Sequence, residues 1–85
     1  MIRAAESIVF NIVEGCGTST AREFARFLEI AVKSASEVES QLELARQYGV
    51  LGQSGWKSLT SSVVTLRRML CVLRQRVLAS ANPSP

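Results

Sequence analysis

Between Thr20 and Gly49 the apolar residues Phe24, Leu28, Ala31, Ala35, Val38, Leu42 and Ala45 follow one another at steps of four, three, four, three, four and three. Such alternation, sustained over three heptads, predicts an amphipathic helix with one apolar seam. No proline or glycine interrupts the seam. It opens on Thr20-Ala21-Arg22-Glu23, a capping-box pattern. In that pattern the threonine hydroxyl accepts from a free first-turn amide and the glutamate reaches back to the cap. It closes at Tyr48-Gly49, where glycine supplies the left-handed conformation that stops a helix. The prediction is a helix over about residues 20–48.

The flanking segments read the same way. From Ile2 to Val13, the residues Ala5, Ile8, Val9, Ile12 and Val13 fall at helical spacing, and Glu14-Gly15 is expected to end a short helix over about residues 2–14. Gly15-Cys16-Gly17-Thr18-Ser19 is a turn of small residues. It is no phosphate cradle, because no lysine follows and no strand precedes it. After a glycine-containing loop, Trp56, Leu59, Val63, Leu66, Leu70, Leu73 and Val77 form a second seam, with Val64, Met69 and Val72 beside it. This predicts a helix over about residues 55–80, followed by a tail at 81–85 that its prolines keep from continuing the helix. No segment reads as a strand. The fold class expected is all-α: a single domain over residues 1–85 with one short and two long helices, the long pair antiparallel. One short helix covers two long seams poorly. A four-helix bundle, completed from upstream or by another chain, buries them better than a self-contained three-helix domain; both readings stay open.

The apolar arc of the central helix is wider than one seam needs. Phe27, Ile30, Leu44 and Tyr48 lie progressively further around one flank, and Val32 lies on the other. Either several neighbours of its own chain bury this helix, or the four flank residues form a contact with another subunit.

Composition narrows the chemistry. Eighty-five residues support one small core, and 47% hydrophobic with 20% charged residues fits a folded globular chain. No apolar run is long enough to span a membrane, and the N-terminus lacks the pattern of a secretory signal. Cys16 and Cys71 are far apart and in no metal-binding spacing, which fits free thiols in a reducing cytoplasm. The chain contains no histidine and no aspartate. That removes the usual general base, the commonest metal ligand and the catalytic triads built on them. Glu23, Glu37, Glu39 and Glu43 do not make a di-metal site of the bundle type, which needs Glu-x-x-His pairs. Glu29 and Lys33 read instead as an exposed i, i+4 pair. Neither an enzyme nor a cofactor is expected.

Charge is divided between the halves. Arg3, Arg22, Arg26 and Lys33 stand against seven glutamates up to Glu43, a balance of −3; beyond it come Arg46, Lys57, Arg67, Arg68, Arg74 and Arg76 with no acid, a balance of +6. Arginine forks suit phosphate, and a set of such contacts gives salt-sensitive, largely sequence-independent binding. Arg67, Arg68, Arg74 and Arg76 are therefore the principal candidates for contact with RNA or DNA, with Lys57 and Arg46 in support. On the helical wheel these charges do not form one stripe. On a lone chain they read as a solvated surface; repeated around a ring, they make a basic belt. Asn11 and Glu14 are expected to hydrogen-bond the glycine turn or the start of the central helix, and Trp56 and Tyr48 to close one end of the core.

Three stretches carry a family resemblance: Ser7-Ile8-Val9-Phe10-Asn11-Ile12-Val13-Glu14-Gly15, then Glu23-Phe24-Ala25-Arg26-Phe27-Leu28-Glu29-Ile30-Ala31, then Ser34 with Glu37-Val38-Glu39-Ser40-Gln41-Leu42. Together they resemble the bacterial four-helix-bundle proteins encoded by intervening sequences of 23S ribosomal RNA genes, whose relatives include the accessory variability protein of diversity-generating retroelements. Two positions depart from the family pattern. Val9 stands where proline is usual, which implies a straighter first helix, and Lys33 where glycine is common, which implies charge near a close helix contact. The family's first helix has no counterpart here, so the resemblance implies a shortened member. It also implies a homo-oligomer, a pentameric barrel of bundles, whose partners are nucleic acid or a nucleic-acid enzyme. Resemblance and charge together give the expected function: a non-enzymatic oligomeric bundle that binds nucleic acid through a basic surface. The alternative is a purely structural assembly module without such a ligand.

Overall fold

The structure, a computed structural model, describes residues 1–81. The expected tail from Asn82 onward lies outside them. Three helices make up the described residues, with no strand: α1 (Ile2–Cys16), α2 (Ala21–Gln47) and α3 (Gln53–Ala81). The Cα trace is long and thin, 54 × 21 × 13 Å.

Helix α2 forms where its local signals place it. Thr20 adopts an extended backbone, and its Oγ1 accepts from the Glu23 N–H at 3.1 Å, which satisfies one of the amides a helix start leaves free. The reciprocal bond from the Glu23 carboxylate is not formed among the described residues. At the other end Gly49 takes φ +75°. There the N–H groups of Tyr48, Gly49 and Val50 donate to Leu44, Arg46 and Ala45, which closes the last turn.

Helix α2 lies between the other two. Ser7 meets Ser34 and Gly15 meets Phe24 and Phe27, so α1 runs antiparallel to α2. Arg67 meets Glu39 and Arg74 meets Glu29, so α3 is antiparallel to α2 as well. Helices α1 and α3 therefore run parallel to each other, and no Cα of one comes within 8 Å of the other. Their side chains join over the α2 seam: Ala4 and Ile8 from α1 and Leu70 from α3 cluster with Leu28, Ala31, Ala35, Val38 and Leu42. Leu28, Ala31 and Ala35 are completely buried.

Four expectations need correction. Helix α1 does not end at Glu14 but continues to Cys16, with Gly15 buried inside it. A Cβ on Gly15 would lie 2.8 Å from Phe24 Cδ1 and 3.2 Å from Phe27 Cβ, so the absent side chain lets α1 approach α2 closely. The face α1 buries is also different. Ala4, Ile8, Asn11 and Gly15 pack inward, whereas Ala5, Val9 and Val13 are exposed. Small residues win because they allow the backbones to come near, and the bulkier ridge is turned outward. The seam of α3 is likewise only half covered, since α2 is its sole close helical neighbour among the described residues; Leu59 and Leu73 stay exposed. Helix α3 also starts two residues before the expected position, at Gln53.

Candidate nucleic-acid interface and subunit contact

The six basic residues singled out by charge separate into two groups. Arg46, in the last turn of α2, forms a two-pronged pair with Glu43, its Nε donating to Oε2 at 3.1 Å and its Nη2 to Oε1. Its guanidinium also lies over the Trp56 ring, 5.0 Å from the centroid, a cation–π contact that ties the end of α2 to the start of α3. Arg67 Nε donates to Glu39 Oε1 at 2.9 Å, with both side chains about three-quarters covered. Arg74 reaches Glu29 at 3.7 Å, and Glu29 also faces Lys33 at 3.8 Å. Arg67 and Arg74 thus tie α3 to α2 along the length of the pair, while Arg46 pairs within α2 beside the corner.

Arg68, Arg76 and Lys57 form the second group. All three are exposed, and among the described residues no carboxylate pairs with them. At about 100° per residue they fall within roughly 100° of one another, on the side of α3 turned away from α2. Arg68 and Arg76 flank an open groove floored by Met69, Val72 and Leu73.

Pairing moves the titration of the clamped groups. The hydrogen bond from Arg46 holds the Glu43 carboxyl below the ordinary carboxylate range, supported by Gln47 and opposed by desolvation. Glu43 in turn raises Arg46, and the Glu39 hydrogen bond raises Arg67, so both guanidinium groups stay charged. No three His, Cys, Asp or Glu side chains converge on a common point among the described residues. Both cysteines are free.

Of the four residues expected at a subunit contact, Ile30, Leu44 and Tyr48 are exposed on one flank of α2. Phe27 is half-buried, with its Cβ against Gly15 of its own chain. Tyr48, 79% exposed, does not close the core; Trp56 packs against it together with Leu51. Asn11, though buried on the inner face of α1, makes no hydrogen bond to the turn or to α2. Its Nδ2 donates back to Ser7 O and Oγ, at 2.7 and 3.0 Å, and Ser7 Oγ lies 2.8 Å from Ser34 Oγ. Glu14 is exposed, and so is Lys33, whose charge faces solvent rather than a helix contact.

Sequence reasoning missed the outward face of α1, where Val9, Phe10 and Val13 are 62%, 61% and 64% exposed. The signal was present in the steps of four, three and four that join Ala4, Ile8, Asn11 and Gly15. This inner seam looks weak because three of its four members are small or polar.

The family model described as 23S rRNA-intervening sequence protein matches residues 1–72. The chain belongs to that family. No curated protein and no solved structure matches it. In this 23S rRNA-intervening sequence family member, the Ser7–Gly15 motif has a physical meaning: Ser7, Asn11 and Gly15 are the residues that seat α1 on α2. No helix of the described residues is long and apolar enough to cross a membrane.

Proposed function

We propose that the protein is a non-enzymatic assembly module of the cytoplasm that associates with copies of itself through helix faces its own fold leaves open. The observation that carries this reading is the quantity of large apolar side chain on the outside. Val9, Phe10 and Val13 on α1, Ile30, Leu44 and Tyr48 on α2, and Met69, Val72 and Leu73 on α3 are all exposed. Large apolar side chains left outside in such number, with Val9, Phe10 and Val13 on one face of α1 and Met69, Val72 and Leu73 on one face of α3, mark contact surfaces. The absence of histidine and aspartate supports a role without catalysis. The pentamer implied by the family resemblance is one closed form of such an assembly. Sedimentation velocity across a range of concentrations tests the reading: reversible oligomers are expected, and a monomer at every concentration overturns it. Ile30→Glu with Leu44→Glu tests whether the α2 flank takes part, since a charge in an apolar contact disrupts it.

A second reading is nucleic-acid binding, either of RNA or DNA itself or alongside a nucleic-acid enzyme. The observation favouring it is that Lys57, Arg68 and Arg76 are exposed without carboxylate partners on one side of α3. Arg46, Arg67 and Arg74 are already paired within the chain, so the contact set is reduced to three. Binding of a labelled structured RNA and of duplex DNA at several salt concentrations tests it. Three phosphate contacts per chain give a logarithmic slope of roughly −2.7 on duplex DNA. Replacing Lys57, Arg68 and Arg76 with glutamine should abolish binding, and unchanged affinity overturns this reading.

A further inference from the structure

The outward strips of α1 and α3 complement each other residue by residue. On α1 the strip is Glu6, Val9, Phe10, Val13, Glu14: acids at the two ends, eight residues or about 12 Å of helix apart, with three apolar side chains between. On α3 it is Arg68, Met69, Val72, Leu73, Arg76: the same eight-residue span with arginines at the ends and three apolar side chains between. Read from Arg76 back to Arg68, the α3 strip has the same order of charged and apolar positions as Glu6 to Glu14. Every charged and apolar member of both strips is exposed.

We infer that α1 of one copy packs antiparallel on α3 of a second copy. Glu6 then stands opposite Arg76, Val9 and Phe10 opposite Leu73 and Val72, Val13 opposite Met69, and Glu14 opposite Arg68. The occupant is a second copy because one chain cannot make this contact with itself. Within a chain α1 and α3 run parallel, each on its own side of α2, with no close backbone approach. In parallel register the charges still meet, but the apolar positions fall out of step. The apolar side chains supply the attraction, while the charged ends select orientation and register. The two surfaces are different, so every copy offers one of each. Such a contact builds a ring where the rotation closes and an open chain where it does not.

This inference rests on the self-assembly proposed above and specifies its surfaces. It is tested in the full chain by charge reversal, with circular dichroism to verify that these exposed substitutions leave the helices intact. Glu6→Arg with Glu14→Arg, and separately Arg68→Glu with Arg76→Glu, should each weaken self-association at least tenfold in sedimentation velocity. The variant with all four reversals, whose net charge returns to +3, should recover it, as should an equimolar mixture of the two double variants. Double variants that assemble like the wild type overturn the pairing while leaving self-assembly through the α2 flank standing. Loss without recovery in the fourfold variant also overturns it. A wild-type chain that is monomeric throughout removes the self-assembly reading itself. If Arg68→Glu with Arg76→Glu loses RNA binding but stays oligomeric, the two arginines belong to nucleic acid and the pairing is wrong.

Discussion

At Gly15 a single missing side chain decides how two helices meet. Gly15→Ala would force the Phe24 ring and the Phe27 Cβ to move, because an added Cβ lies 2.8 Å from one and 3.2 Å from the other. Overpacking costs about 1–3 kcal/mol, and the better helix propensity of alanine returns roughly 1. We expect a net destabilisation of up to about 2 kcal/mol, read from urea unfolding; a stabilised variant would show that α1 is not closely seated there. Glu43 offers a second measurement at this scale. Its ionised form is favoured in the fold by Arg46. Its contribution to stability is therefore present above the ordinary carboxylate range and is lost as pH falls through the lowered folded value. In an NMR titration, Arg46→Gln should raise the Glu43 midpoint towards ordinary carboxylates, and an unmoved midpoint would show that the pair does not persist in solution. The Glu43–Arg46 pair follows from a local i, i+3 spacing, whereas Gly15 reads as a helix stop until Phe24 is placed beside it.

The three helices differ in how much of each was legible. Helix α2 was nearly complete in the sequence: its seam residues are buried or half-buried, its cap forms through Thr20, and Gly49 takes the left-handed conformation. Thr20→Ala should cost about 1 kcal/mol, measured as a lowered unfolding free energy together with faster amide exchange in the first turn of α2. Unchanged exchange would mean that the hydroxyl bond contributes nothing. Helix α1 was legible as a helix but not in its orientation. The larger Val9 and Val13 outweigh Ala4, Asn11 and Gly15 on a hydrophobicity scale, yet close approach favours the smaller set. Helix α3 was legible in its seam, but Leu59 and Leu73 remain exposed because only α2 lies near enough to cover it.

Across the whole molecule, the charge imbalance read from the sequence is partly cancelled by folding. Three of the six basic residues beyond Glu43 find glutamates on α2, and the free ones share a side with exposed apolar residues. Under the self-assembly proposed above, the molecule would gain stability by association, because a partner that binds only the folded chain shifts the unfolding equilibrium by mass action. The thermal midpoint should therefore rise with protein concentration, and scanning calorimetry at several concentrations measures it. A midpoint independent of concentration would mark a chain that is stable alone.

By itself the sequence determined the elements: three helices, the central seam, the glycine that ends α2 and the excess of basic residues in the second half. These rest on interactions between residues a few positions apart, which spacing encodes directly. The tertiary structure alone decided which face α1 turns inward, which arginines of α3 are paired and which apolar side chains stay uncovered. Those outcomes depend on how closely helix backbones approach and on which opposite charges meet across them. Both are contacts between residues distant in the chain, and no local periodicity records them.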